Sequence, residues 1–204
     1  MTLPSGFDLP DLMALAATLG LASGLRLYAV VFFTGLAGRL GWVELPPGLV
    51  LLQSPMVLAG SAVLMAVEFL ADKVPWVDSV WDAVHTFVRI PAGAALAYGV
   101  FGGGDAQAWA LLAALAGGTL AASAHAAKAS TRAAVNHSPE PFSNWALSLG
   151  GDAFVPALMW LGWAHPFWAL GVVLLLALAM VGLAWALWRF IGRLWRRGRP
   201  EPQR

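Results

Sequence analysis

The residues of this chain that could do chemistry are bunched. The densest run reads Glu68-Phe-Leu-Ala-Asp72-Lys73-Val-Pro75-Trp-Val-Asp78-Ser-Val-Trp-Asp82-Ala-Val-His85-Thr-Phe-Val-Arg89. Asp78, Asp82, His85 and Arg89 follow helical spacing and fall on one helix face. Glu68 and Asp72 are one turn apart before Pro75, so the two faces can meet as a helical hairpin. A second stripe, His125, Lys128 and Arg132, is basic. Arg26 and Asp152 stand alone inside apolar stretches. Three chemistries fit these residue types. Carboxylate and imidazole ligands suit a divalent cation, with Asp78, Asp82 and His85 as the candidate set. Acids with a histidine can relay protons or ions. Opposite charges can simply pair and hold helices in register.

The elements that must position them are apolar helices. The 204-residue chain is 59% hydrophobic and 11% charged, where soluble domains carry about 25% charged residues. Its 11 Trp against 2 Tyr suit a bilayer interface. A formal net charge of +1 argues against a nucleic-acid partner. No Cys is present, which excludes disulfides and thiolate metal sites. No Lys or Arg precedes the first apolar run, so the first helix is expected to be retained.

A spanning helix needs about 20 mainly apolar residues. The pattern predicts six: about 12–37, 49–71, 77–101, 106–135, 142–163 and 167–187. Short Pro- and Gly-rich joints connect them, and no linker suggests a second domain. The expected fold is therefore all-α, a polytopic membrane helix bundle forming one domain over 1–204. In lipid, a charge at a helix centre costs roughly 2.5–3.5 kcal/mol on insertion scales. The buried charges must therefore pair, bind an ion or face water. Arg26 is expected to pair with Asp152 or Glu68.

The basic tail, 189–204, holds Arg189, Arg193, Arg196, Arg197, Arg199 and Arg204, which predicts a cytoplasmic end. Six spans then put both termini in the cytoplasm, in a bacterial inner membrane. An internal repeat is also legible. Ser54-Pro55 with Glu68, and Ser138-Pro139 with Asp152, share one offset of 84 positions. Halves 12–101 and 106–188 would form a 3+3 inverted repeat, a plan common in secondary transporters.

Several segments resemble a known family. They are Ser23-Gly24-Leu25-Arg26-Leu27-Tyr28, Glu68 with Ala71-Asp72-Lys73-Val74-Pro75-Trp76-Val77-Asp78, and Arg89-Ile90-Pro91-Ala92-Gly93-Ala94. Ala127-Lys128, Arg132, Ser143, Ser148 and Asp152 follow. Together they resemble the bacterial membrane proteins of domain-of-unknown-function family 4126, across nearly the whole chain except the tail. Ile90 between Arg89 and Pro91 departs from the family's more usual Arg-Pro. The resemblance implies an integral membrane protein and supplies no substrate and no catalytic residue.

The expected function is a small transporter or channel-like protein moving an ion or small solute along a buried polar path. Glu68 and Asp152 would be its paired acids and Arg26 their counter-charge. Asp72, Asp78, Asp82, His85 and Arg89 would line a cytoplasmic vestibule. Two alternatives stand beside it. One is a membrane enzyme acting on a lipid or lipid-phosphate, with His125, Lys128 and Arg132 on the phosphate. The other is a non-catalytic scaffold subunit. The bilayer is the expected partner and a homodimer is compatible with so small a bundle. No cofactor is expected unless the acids hold a divalent cation.

Overall fold

The computed structural model describes residues 6–102, 106–136 and 141–197. All of its regular elements are helical, and no strand occurs among these residues. Helix α1 spans Leu9–Arg39, and a short 3₁₀ helix follows at Pro47–Gln53. Then come α2 (Pro55–Ala71), α3 (Pro75–Phe101), α4 (Gln107–Asn136), α5 (Pro141–Ala164) and α6 (Pro166–Arg197). Proline opens α2, α3, α5 and α6, where its missing N–H and fixed φ cost nothing. Ser54 caps α2, its Oγ accepting from the Val57 N–H at 3.4 Å.

The six expected helices are found, but they are not six equal spans. Four are long and apolar enough to cross a membrane: α1, α3 from Trp76, α4 to Arg132 and α6 to Leu183. A fifth results if the 3₁₀ helix and α2, bent by 70°, count together. Helix α5 has 24 residues but falls below the required apolarity, in keeping with Asp152 and the polar residues near its start. The basic tail is corrected too. Helix α6 runs on to Arg197, so Arg189, Arg193, Arg196 and Arg197 extend it, while Arg199 and Arg204 lie outside the described residues.

Helix α1 departs most from expectation. Arg26 is non-helical, with φ −145° and ψ 77°. A straight 31-residue helix would be about 46 Å long. Yet a Cβ built on Gly6 lies 3.6 Å from Glu44 Oε2. The three residues before the helix and the five after it reach only about 30 Å when fully extended. Helix α1 must therefore turn back on itself at Arg26. Its neighbours agree. Met13 sits with Phe101, Trp109 and Leu170, and Ala37 sits with Trp163 and Ala164. These are the end of α3, the starts of α4 and α6, and the end of α5, all at one end of the bundle. Arg26, the apex, reaches the other end. Ser23, three residues before the break, donates its hydroxyl to the Gly20 carbonyl at 2.8 Å, and Gly24 follows it. A Ser-Gly pair beside a side chain bonded into the ladder is an ordinary cause of a helix kink.

The turn changes the parity of the chain. Residue 6 lies at the end of the bundle opposite to the finish of α6. The expectation that both termini share one side assumed that α1 crosses once, whereas among the described residues it turns back. The halves also differ in build. Residues 12–101 contribute the two arms of α1 as well as α2 and α3, whereas 106–188 contribute α4, α5 and α6.

The arms of α1 pack into the bundle chiefly through α3 and α4, which also share the largest helix–helix interface. A Cβ on Gly20 would stand 2.6 Å from the Gly117 Cα, and one on Gly24 would overlap the Ala121 backbone. Glycine is required at both positions because the two helix backbones nearly touch. The outer faces are apolar. Val63, Val67 and Leu70 of α2, Leu111 and Leu115 of α4, and Leu174, Leu175 and Leu178 of α6 are exposed. Such broad apolar exposure fits contact with lipid rather than water.

Candidate functional site

All eleven charged and histidine residues singled out by sequence gather at the end of the bundle that Arg26 reaches. Helix α2 delivers Glu68 near its C-terminus and Asp72 just after it. The first half of α3 delivers Asp78, Asp82, His85 and Arg89. The second half of α4 delivers His125, Lys128 and Arg132, and α5 delivers Asp152. Most of these side chains are sealed. Arg26, Glu68, Asp72, Asp78, Asp82, Arg89 and Arg132 are each below 5% exposed.

Arg26 pairs with Asp72, and it also meets Asp152 Oδ1 at 2.9 Å. Its Nη2 donates to the Ser148 carbonyl at 3.1 Å. Arg89 forks between Glu68 Oε1 at 2.5 Å and Asp82 Oδ1 at 2.7 Å, and its Nη1 lies 2.9 Å from His125 Nδ1. Lys128 bridges Asp72 at 3.3 Å and Asp82 at 3.2 Å. Arg132 reaches Asp72 Oδ2 at 3.2 Å and Asp78 at 3.8 Å. The result is one network in which Asp72 faces three cations. Burial alone would raise the Asp72 carboxyl, but Lys128, Arg26 and Arg132 together outweigh it and hold the group below its ordinary range. Lys73, at the rim, reaches the Ser148 hydroxyl at 3.3 Å. Burial pushes its ammonium below the usual lysine range.

Two sequence expectations are corrected here. Arg26 pairs with Asp152, as one option had it, but its second partner is Asp72 rather than Glu68. Glu68 belongs to Arg89. The set Asp78, Asp82 and His85 does not converge as metal ligands. His85 Nδ1 lies 2.7 Å from the Trp81 carbonyl and its Nε2 lies 2.9 Å from the Tyr28 hydroxyl, so both ring nitrogens are engaged. Asp82 is committed to Arg89 and Lys128. Among the described residues no three His, Asp or Glu side chains form a group able to hold a metal ion. The expected open vestibule lined by Asp72, Asp78, Asp82, His85 and Arg89 is likewise a packed interior, with all five buried.

Sequence reasoning passed over three participants. Tyr28 holds His85, Thr86 sits 2.7 Å from His125 Nε2, and Ser148 offers its carbonyl to Arg26. Tyr28 and Ser148 lay inside the family-like segments. Their contacts, at 57 and 122 positions' separation, had no local signal.

Beside the network lie two spaces. A cavity of about 380 Å³ between α1, α2 and α5 is lined by Arg26, Ala29, Phe33, Met65, Glu68 and Asp152, among others. A groove of about 240 Å³ between α1, α4 and α5 is lined by Arg26, Lys128 and Arg132 with apolar neighbours. The first brings together the three residues that the sequence had grouped as paired acids and counter-charge.

Residues 13–186 match the family model described as Domain of unknown function (DUF4126), so the chain belongs to that family. No curated protein and no solved structure matches the chain.

Proposed function

We propose that this member of the DUF4126 family moves an ion or small solute across a membrane, with the charged end of the bundle as the gate. One observation carries the reading. A helix that turns back at Arg26 places its apex against carboxylates from two other elements, beside a cavity those residues line. Interrupted helices within a bilayer are tolerated where they are buried in protein or line a cavity, and transporters use them at their binding sites. Ion pairs that bridge an apex to its surroundings can open and re-form. The arrangement described is the closed one.

In this reading the charged end faces the cytoplasm of a bacterial inner membrane. It carries Lys73, Lys128, Arg132 and the arginines of late α6, while Arg39 lies at the opposite end. Residue 6 then lies on the outer side. Helices α2 and α5, which run in opposite directions, are the pair related by the inverted repeat, although Ser138-Pro139 lies outside the described residues. The test is flux into proteoliposomes of rubidium, chloride and small organic ions, with Glu68→Gln and Asp152→Asn beside the wild type. Flux that both variants lower supports the proposal. Equal flux from all three, or none above empty liposomes, sinks it.

Two other readings each have an observation in their favour. The burial of the network favours a scaffold held by ion pairs, in which charge-swapped Arg26 and Asp152 fold normally and nothing is moved. The groove lined by Arg26, Lys128 and Arg132 favours an enzyme acting on a lipid-phosphate, which would show turnover of such a lipid.

A further inference from the structure

Glu68 and Asp152 are used in the same half-finished way. Glu68 gives Oε1 to Arg89, and Asp152 gives Oδ1 to Arg26. Glu68 Oε2 and Asp152 Oδ2 are both buried, and neither has a hydrogen-bond partner among the described residues. Leaving a charged acceptor without a donor away from water is costly. A third acceptor lies close in sequence. Pro156 has no N–H, so the Asp152 carbonyl loses its helical donor. Asp152 and Pro156 are one turn apart and line neighbouring cavities between α1 and α5.

A groove through both cavities would pass Phe33. The 380 Å³ cavity holds Glu68 and Asp152 on an otherwise mainly apolar wall of Ala29, Phe33, Met65 and Phe69, with Arg26 tied to Asp152 at its edge. A second cavity of about 420 Å³ lies beyond Phe33, towards the opposite end of the bundle, and is lined by Trp42, Trp160 and Trp163. Phe33 lines both.

We infer that this groove binds a protonated amine with an apolar body. The ammonium donates to Glu68 Oε2, Asp152 Oδ2 and the Asp152 carbonyl. The body lies along Phe33 towards the tryptophans, whose faces suit a cation passing them on entry. A bare metal ion fits less well, because a hard cation wants six or more oxygens and an ammonium needs three acceptors. The inference deepens the transport reading and rests on it for the amine's movement, though not for its binding.

The probe is radiolabelled 2-phenylethylamine, with 2-phenylethanol as its neutral counterpart, in equilibrium dialysis against the purified full chain and against protein-free micelles. Saturable binding of the amine is expected, about tenfold or more tighter than the alcohol. Glu68→Gln should weaken it by a similar factor. Glu68 also holds Arg89, so that variant is paired with Ala66→Trp, which fills the cavity from an exposed position and removes no member of an ion pair. Ala66→Trp should abolish saturable binding while the protein stays monodisperse. Equal uptake of amine and alcohol, no saturation, or unchanged binding in a folded Ala66→Trp protein would overturn the inference. The two proposals fail separately. Amine binding without flux of any solute tested ends the transport reading and leaves the site standing. Glu68-dependent flux of another solute, without amine binding, does the reverse.

Discussion

Two regions hold α1 in place, and they do so by opposite means. Along its first arm, Gly20 and Gly24 press against Gly117 and Ala121 of α4, and the seam works because nothing is there. At its apex, Arg26 is held by Asp72 and Asp152, and the contact works because charges are there. The seam is a fit of backbones, which either exists or does not. The apex is a set of ion pairs, whose strength depends on the charges being matched. The transport proposal requires the helix to move at this tip rather than along the seam.

The comparison breaks most sharply at Arg89. Arg89→Met leaves Glu68 buried without a cation and Asp82 with Lys128 alone, and should cost about 3–5 kcal/mol, read as a lowered melting temperature in detergent. Replacing Arg89, Glu68 and Asp82 together by apolar residues of similar size should recover most of that loss. If the triple variant is no better than the single one, the network is not exchangeable. Gly24→Leu tests the seam. Its side chain would meet the Ala121 backbone, which cannot yield as a side chain can, so about 3 kcal/mol or loss of monodisperse protein is expected. No compensating charge change should rescue it.

Acid sharpens the contrast, because it acts on charges and leaves glycines alone. The Asp72 carboxyl is held below its ordinary range by Lys128, Arg26 and Arg132 against the opposing effect of burial. A carboxylate whose folded value is depressed contributes stability above its unfolded value, near 3.9, and loses it as pH falls through the folded value. Wild-type protein should therefore lose melting temperature below about pH 4 more steeply than Asp72→Asn, and Gly24 variants that fold should track the wild type. The smallest effect is expected at Tyr28→Phe. It removes only the hydroxyl beside His85 Nε2, for about 1 kcal/mol or less in a thermal melt.

Much of the site was legible before any coordinates. The i, i+4, i+7 spacing of Asp78, Asp82 and His85, and the His125, Lys128, Arg132 stripe, put each set on one face. In an apolar chain those faces had to find each other. The partner of a given charge was less legible. Arg26 could reach any acid that the bundle brought near, and only the turn after α2 decided that Asp72 meets it. The metal option failed for the same reason, since spacing places His85 beside Asp82 but does not say that Tyr28 and the Trp81 carbonyl will occupy its ring.

By itself the sequence determined the helices, their apolar outer faces and the charges that had to be matched inside. Those follow from local periodicity and from the cost of an unpaired charge in lipid, and neither needs a distant residue. Only the tertiary structure decided that α1 turns back at Arg26, that residue 6 and the finish of α6 therefore lie at opposite ends, and which acid each arginine holds. Breaking an apolar helix costs backbone hydrogen bonds, and Ser23 and Gly24 only ease the break. The choice was made by contacts with α3, α4 and α5, which local sequence does not encode.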